Sequence, residues 1–227
     1  EKASSKPYQD HSFIGDTRRG GPCNFETYKL TPHCNGTHTE CIGHITDERI
    51  SINLALDDVC FPSTLISVTP TSNKENYIPN LNSDDLVITR EMLLELLDDI
   101  SSLFLEGLII RTRPNSTKKM SQDYMESIPP FFTIEAMQYI RDRGVKHLLV
   151  DVPSVDRLFD DGHLSCHNIF WDTKDKKYNS ETMNYTITEM IYVDNKIDDG
   201  RYLLNLQIPS FVSDAAPSRP IIFKLND

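Results

Sequence analysis

Three of the seven histidines, His33, His38 and His44, fall within one short segment, with Glu40 among them. Imidazoles and carboxylates that converge on one point are what a catalytic divalent metal needs, with one position left open for water. In extended backbone, alternate residues share a face. That parity groups Cys34, His38, Glu40 and His44 and leaves His33 out. A bend at Gly36 would break the count, so Cys34 and His33 compete for one ligand position. The competing reading, a polar turn of solvated histidines, explains less of a density that no lone histidine shows.

A second carboxylate stands out on physical grounds. From Tyr185 to Val193 the odd positions read Tyr, Ile, Glu, Ile, Val, which puts Glu189 in the middle of an apolar strand face. Burying an unpaired carboxylate costs several kcal/mol, so Glu189 must be neutralised, paired with a core arginine, or bound to a metal. A metal completed by the histidine segment fits better than the arginine. His163 and His167 are four apart and share a face if their segment is helical. Either could complete the site, although a structural role is preferred for His163 beside the loop residue Gly162. His11 and His147 have no companions. The run from Asp151 to Asp156 follows a strand, where ligand sites of α/β sheets gather; the alternative is a capping turn.

Other chemistries find little support. The sequence holds no Gly-x-Ser-x-Gly elbow and no phosphate-cradling glycine loop. Cys34 with His38 could form a thiolate–imidazole pair, but no oriented third member is marked. A structural zinc held by Cys34, His38, Cys41 and His44 would lack the usual two-pair spacing.

The elements that must position these residues follow from patterning. Residues 24–32 and 65–68 have strand composition, and residues 1–22 read as an irregular entry segment. Met92, Leu93, Leu96, Leu97, Ile100, Leu103 and Phe104 fall on one helical stripe. A strand over 105–112 follows. Thr133 is a plausible N-cap for a second helix that Gly144 closes. Strands are expected at 145–152, 184–193, 202–208 and 220–225. Strands with two inserted helices predict one α/β domain over residues 1–227 with a mixed sheet.

The chain carries 23 basic and 34 acidic residues, a net charge of −11. Such a chain repels phosphate backbones and anionic membranes, so no nucleic-acid partner is expected. No run approaches the roughly 18–20 apolar residues needed to cross a bilayer. Five irregularly spaced cysteines read as reduced thiols. Three Asn-x-Ser/Thr sequons, at Asn35, Asn115 and Asn184, are weak signs of secretion, and a cytoplasmic location is expected.

The histidine segment resembles the signature His-x-Gly-Thr-His-x-Asp-x-Pro-x-His of the cyclase family of metal-dependent hydrolases, which includes bacterial-type kynurenine formamidase and isatin hydrolase. Gly36-Thr37-His38 and His44 match it. Glu40 replaces the Asp, Ile42 the Pro, and Cys34 the first His, with His33 one position early. Asp151, Ser154 and Asp156 resemble the family's later strand end, and His167 and Glu189 its later ligands. The resemblance runs from about residue 13 through the closing strands. It implies a swivelling β/β/α fold, a homo-oligomer (dimer or tetramer), and one or two divalent ions, zinc or manganese. It further implies His38 and Glu40 as metal ligands beside His33 or Cys34, His167 and Glu189 completing a second or shared site, and His44 as acid/base. A thiolate at Cys34 would favour zinc. The expected activity is hydrolysis of a C–N amide bond, arylformamide or cyclic amide, in a small molecule. The rival is a non-catalytic metal- or ligand-binding protein that keeps the fold. Trp171 could line an aryl pocket or simply fill the core.

Overall fold

The computed structural model describes residues 2–72 and 75–225. The chain begins with β1 (Ser4–Pro7), β2 (Gln9–Asp10), β3 (Phe13–Ile14) and β4 (Glu26–Lys29). It continues through β5 (His38–Cys41), α1 (Ile52–Ala55), β6 (Cys60–Val68), β7 (Val87–Ile88), α2 (Arg90–Leu97) and β8 (Gly107–Thr112). Then come β9 (Phe131–Phe132), α3 (Ile134–Asp142), β10 (His147–Val150), α4 (Ser165–Phe170), β11 (Thr186–Glu189), β12 (Gly200–Asn205), β13 (Ala215–Pro217) and β14 (Ile221–Lys224).

Eight strands form one sheet in the order β13-β5-β11-β10-β8-β6-β12-β14. Its centre, β6, β8, β10 and β11, is parallel, and both flanks are antiparallel. The topology alone requires the sheet to curl. β13 and β14 lie at opposite edges, yet only residues 218–220 join them. A flat sheet of eight strands spans roughly 34 Å at about 4.8 Å per strand. Three linking residues reach about 14 Å at most. The sheet therefore bends round until its edges approach.

Curling divides the apolar residues into two cores. The register sets Leu65, Ile109 and Leu149 side by side on the concave face. They belong to a cluster with Phe61, Leu204 and Leu206. Their neighbours Ile66, Ile110 and Val150 point to the convex face, with Leu108, Leu148 and Ile187. There α2 and α3 cover them with Leu93, Leu97, Met137 and Ile140, all fully buried. Each such side chain contributes roughly 1.5–3 kcal/mol. The Thr133 side chain caps α3 by accepting from the Ala136 N–H. Gly144 follows the helix with a φ of 79°, a left-handed value that glycine adopts without strain.

This is the α/β mixed-sheet architecture expected from the sequence. Three expectations need correction. Residues 1–22 are not wholly irregular, because β1 pairs with β4. The stripe from Met92 to Phe104 is not one helix: α2 stops at Leu97, and a separate 3-10 turn follows at Ser102–Phe104, where Leu103 is exposed. His163 and His167 do not share a helical face, since α4 begins at Ser165. The cysteines are free thiols. Among the described residues, no helix is long and apolar enough to cross a membrane.

Candidate metal centre

The cluster is built where β5 and β11 lie antiparallel on the convex face. His38 pairs with Glu189, and Glu40 with Ile187, so both carboxylates and His38 face the same way. Met190 then turns with a φ of 53°, which ends β11 at Glu189. Such left-handed backbone costs a non-glycine residue about 1 kcal/mol. Simple alternation fails upstream of β5. A 3-10 turn at Pro32–Cys34 rotates His33 inward and leaves Cys34 exposed. A second such turn at Ile42–His44 brings His44 back over the site. His167 enters from α4 on the other side of the cluster.

Distances define the constellation. His33 Nδ1 lies 3.0 Å from Glu40 Oε2, and its Nε2 lies 2.8 Å from Asp214 Oδ2. His167 Nε2 lies 3.1 Å from Glu40 Oε1 and 3.8 Å from Glu189 Oε1. His38 Nε2 stands 3.6 Å from Glu189 Oε2. His44 places Nε2 3.8 Å from Glu40 Oε2 and Nδ1 3.2 Å from Asp214 Oδ2. Its ring stacks on that of His33, with centroids 4.2 Å apart. Potential ligand atoms of His33, His38 and Glu40, and those of Glu40, His44 and His167, lie within 4.8 Å of one another.

The orientation of the rings is informative. His38 Nδ1 faces the Gly36 carbonyl at 3.0 Å. A carbonyl can only accept, so Nδ1 carries the proton and Nε2 presents a lone pair. That Nε2 is buried and has no hydrogen-bond partner, and neither has Glu40 Oε2. His33 Nδ1 stands 3.0 Å from Glu40 Oε2 as an ion-pair partner, so His38 Nε2 is the acceptor left without compensation. A buried acceptor left unpaired costs about 1–3 kcal/mol, which a cation in front of it would relieve. His167 Nδ1 is held by Asp156 Oδ2 at 2.6 Å. A carboxylate behind the imidazole is the usual way of fixing the tautomer and ring angle of a metal ligand.

Electrostatics agree. Burial opposes charge on His33, but the carboxylates of Asp214 and Glu40 outweigh it and push its pKa up to about 10. Burial likewise opposes charge on His167, yet Asp156 and Glu40 raise it well above the ordinary imidazole value. Burial together with the charge of Glu40 raises Glu189 well above the carboxylate range. Glu40 is also buried, but the surrounding His44, His167 and His33 hold it well below that range. The pocket therefore demands positive charge. The donor set, imidazole nitrogens with carboxylate oxygens, is one that holds divalent metal ions.

The sequence-derived candidates His33, His38, Glu40, His44, His167 and Glu189 are thus brought together. Cys34 is not: its place is held by His33, and the parity that favoured the thiol was broken by the 3-10 turn. Asp214 was missed. It sits in a loop just before β13, 181 residues from His33, and no local pattern marks it. In the sequence Asp156 reads only as a strand-end acid. Trp171 is fully buried and donates its N–H to the Tyr185 carbonyl, a core role.

Comparison with known proteins agrees with this geometry. The sequence pattern of the cyclase family ("Putative cyclase") matches residues 3–157. The chain belongs to that family. No curated protein matches it. Among solved structures, a predicted metal-dependent hydrolase from Bacillus stearothermophilus is similar at 18% identity and a TM-score of 0.60, covering 97% of this chain and 86% of that one. Isatin hydrolase A from Ralstonia solanacearum is similar at 13% identity and a TM-score of 0.62, over 96% and 80% of the two chains. Isatin hydrolase A from Labrenzia aggregata, bound to benzyl benzoate, gives 12% identity, a TM-score of 0.61, and coverage of 96% and 81%. At these identities the likeness is one of fold.

Proposed function

We propose that this protein is a metal-dependent hydrolase that cleaves a C–N amide bond of a small molecule, arylformamide or cyclic amide, with His44 as acid/base. The observation that carries this reading is the buried, unpartnered His38 Nε2, set among ligand atoms of His33, His38 and Glu40 that lie within 4.8 Å of one another. His33, His38 and Glu40 would hold one divalent ion, zinc or manganese. His167 and Glu189, with Glu40 shared, would hold a second. When bound, such an ion lowers the pKa of a coordinated water and polarises a carbonyl.

The chain's own residues supply the rest. Asp156 fixes His167, and the Gly36 carbonyl fixes His38, so neither ring can turn away. The Val155 N–H donates to Glu189 Oε1 at 3.0 Å and sets that carboxylate. His44, like His33, is part-exposed at the mouth of the cluster. Asp214 accepts from its Nδ1 and leaves Nε2 free to take a proton and return it to the leaving nitrogen. General acid–base transfer of this kind contributes about 10²–10⁴ in rate. The names of the isatin hydrolase neighbours support an amide or lactam substrate; assembly as a homo-oligomer is proposed with it on the sequence motif's likeness to the family alone.

Metal analysis with a screen of formamides, isatin-like lactams and lactones tests the reading. Activity should vanish on chelation, return on metal add-back, and fall by at least about 10² in a His44→Ala variant. Full turnover by metal-free protein or by that variant would overturn it. Stoichiometric metal binding without turnover of any of these substrates would instead favour a metal-binding protein that has kept the fold.

A further inference from the structure

The other face of the same sheet carries a second recess. A cavity of about 800 Å³ opens on the concave side, where part-exposed Val193, Ile197 and Ile222 line it over buried Ile109, Leu149 and Leu204. The register explains the apolar wall. Ile109 and Leu149 are neighbours across β8 and β10, and Leu204 and Ile222 across β12 and β14, all on the face away from the histidine cluster. The volume falls within the range of small-molecule sites.

The charge of the lining runs against that of the chain. Lys2, Lys119 and Arg219 face the cavity with a single carboxylate, Asp194, in a protein with 34 acidic and 23 basic residues. Asp194 is partly engaged, because its Oδ1 accepts from the Lys196 N–H at 2.8 Å. Lys119 is held by Asp151 at 2.8 Å and by Thr112. Arg219 is exposed and makes no ion pair among the described residues. A part-exposed apolar lining with an unpaired guanidinium at its edge matches a molecule that has an apolar body and an anionic head.

We propose that this cavity is a second ligand site, separate from the histidine cluster, for a small amphipathic carboxylate. Its occupant would lie against Cys34–Thr37 and Met190, which also line the cavity. These are the residues between His33 and His38 and the one next to Glu189. Thr37 Oγ1 ties the two stretches together by donating to the Met190 carbonyl at 2.6 Å. One backbone layer therefore separates the two sites.

Calorimetric titration of the full chain with decanoate tests this, in excess chelator so that capture by a metal plays no part. Decyltrimethylammonium serves as the cationic control. One saturable site that prefers the carboxylate is expected. Ile222→Trp, on the part-exposed edge strand, should weaken binding by narrowing the cavity, and Pro220→Trp should do the same at its mouth. Arg219→Glu should weaken binding roughly tenfold, the scale of one charge-assisted contact. Circular dichroism identifies any variant that fails to fold, in which case the other tryptophan variant decides. The proposal is overturned if decanoate does not saturate, if the cation binds equally well, or if a folded tryptophan variant binds as wild type does.

Discussion

Replacing Asp156 by Asn probes how far the cluster depends on a residue that would not itself touch a metal. The Asp156 carboxylate is buried and makes four contacts. Oδ1 accepts from the Tyr77 hydroxyl and the Cys166 N–H, each at 2.8 Å. Oδ2 accepts from the His167 N–H at 3.1 Å and from His167 Nδ1 at 2.6 Å. Burial works against its charge, but His167 and the two backbone N–H groups hold its pKa below the ordinary value. In the Asn variant the amide nitrogen meets a backbone donor on either side, Cys166 N–H or His167 N–H. Turned toward Tyr77, whose hydroxyl can also accept, it loses the Cys166 contact and leaves the amide oxygen on His167. The His167 contacts survive and the charge is lost. Charge-assisted hydrogen bonds are about twice as strong as neutral ones, and loss of such a supporting partner costs roughly 10- to 100-fold in metal affinity. Asp156→Asn should therefore weaken zinc binding by about 1.4–2.7 kcal/mol. Competition against a chromogenic chelator measures it directly. Tyr77→Phe is the matched control. It removes a contact from the other oxygen and should change zinc affinity by less than about threefold, even if it lowers stability by around 1 kcal/mol. A folded Asp156→Asn protein that binds zinc as tightly as wild type would refute the reasoning.

Two further outcomes follow from particular side chains. His33→Ala should weaken metal binding by at least about tenfold, whereas Cys34→Ser should leave it unchanged; the reverse result in the same chelator competition would mean that the thiol, not the imidazole, is the ligand. His147 is buried against Phe61, and burial, then the neighbouring Lys146, lower its pKa from 6.5 to about 4. Above pH 6.5 it is neutral both folded and unfolded and adds no pH dependence. Between 6.5 and 4 the unfolded chain takes up the proton and the folded one does not, so stability falls as pH falls, by up to about 3 kcal/mol. His147→Gln should remove that slope in urea titrations, and a pH-independent difference between variant and wild type would contradict the assignment.

The metal cluster was legible in the sequence wherever its residues obey a local rule. His38 and Glu40 alternate on a true strand, and Glu189 betrayed itself as a carboxylate in an apolar stripe. The rule failed where the backbone leaves extended geometry. Two 3-10 turns flank β5, and each shifts the face of the residues it contains, which is why His33 displaces Cys34. Asp214 follows no local rule. It reaches the site only because β13 pairs with β5, a decision made by tertiary structure. The same limit hid β1: Ser-Ser-Lys-Pro has little intrinsic strand preference, and it is ordered by pairing with β4. Thr133 and Gly144 bounded α3 correctly because capping is a property of a few consecutive residues.

The three-residue link between opposite sheet edges also bears on how the site comes into being. His33 and Asp214, 181 residues apart in the chain, meet at 2.8 Å. Bringing together the ends of a loop that long costs about 4–5 kcal/mol of chain entropy. No contact inside the cluster can offset this early, because its members arrive from β5, α4, β11 and the loop before β13. The cost is met when β13 docks on β5, so Asp214 joins a cluster whose other members, on β5, β11 and α4, do not require that docking. Non-local closure of this kind is the sort that slows folding.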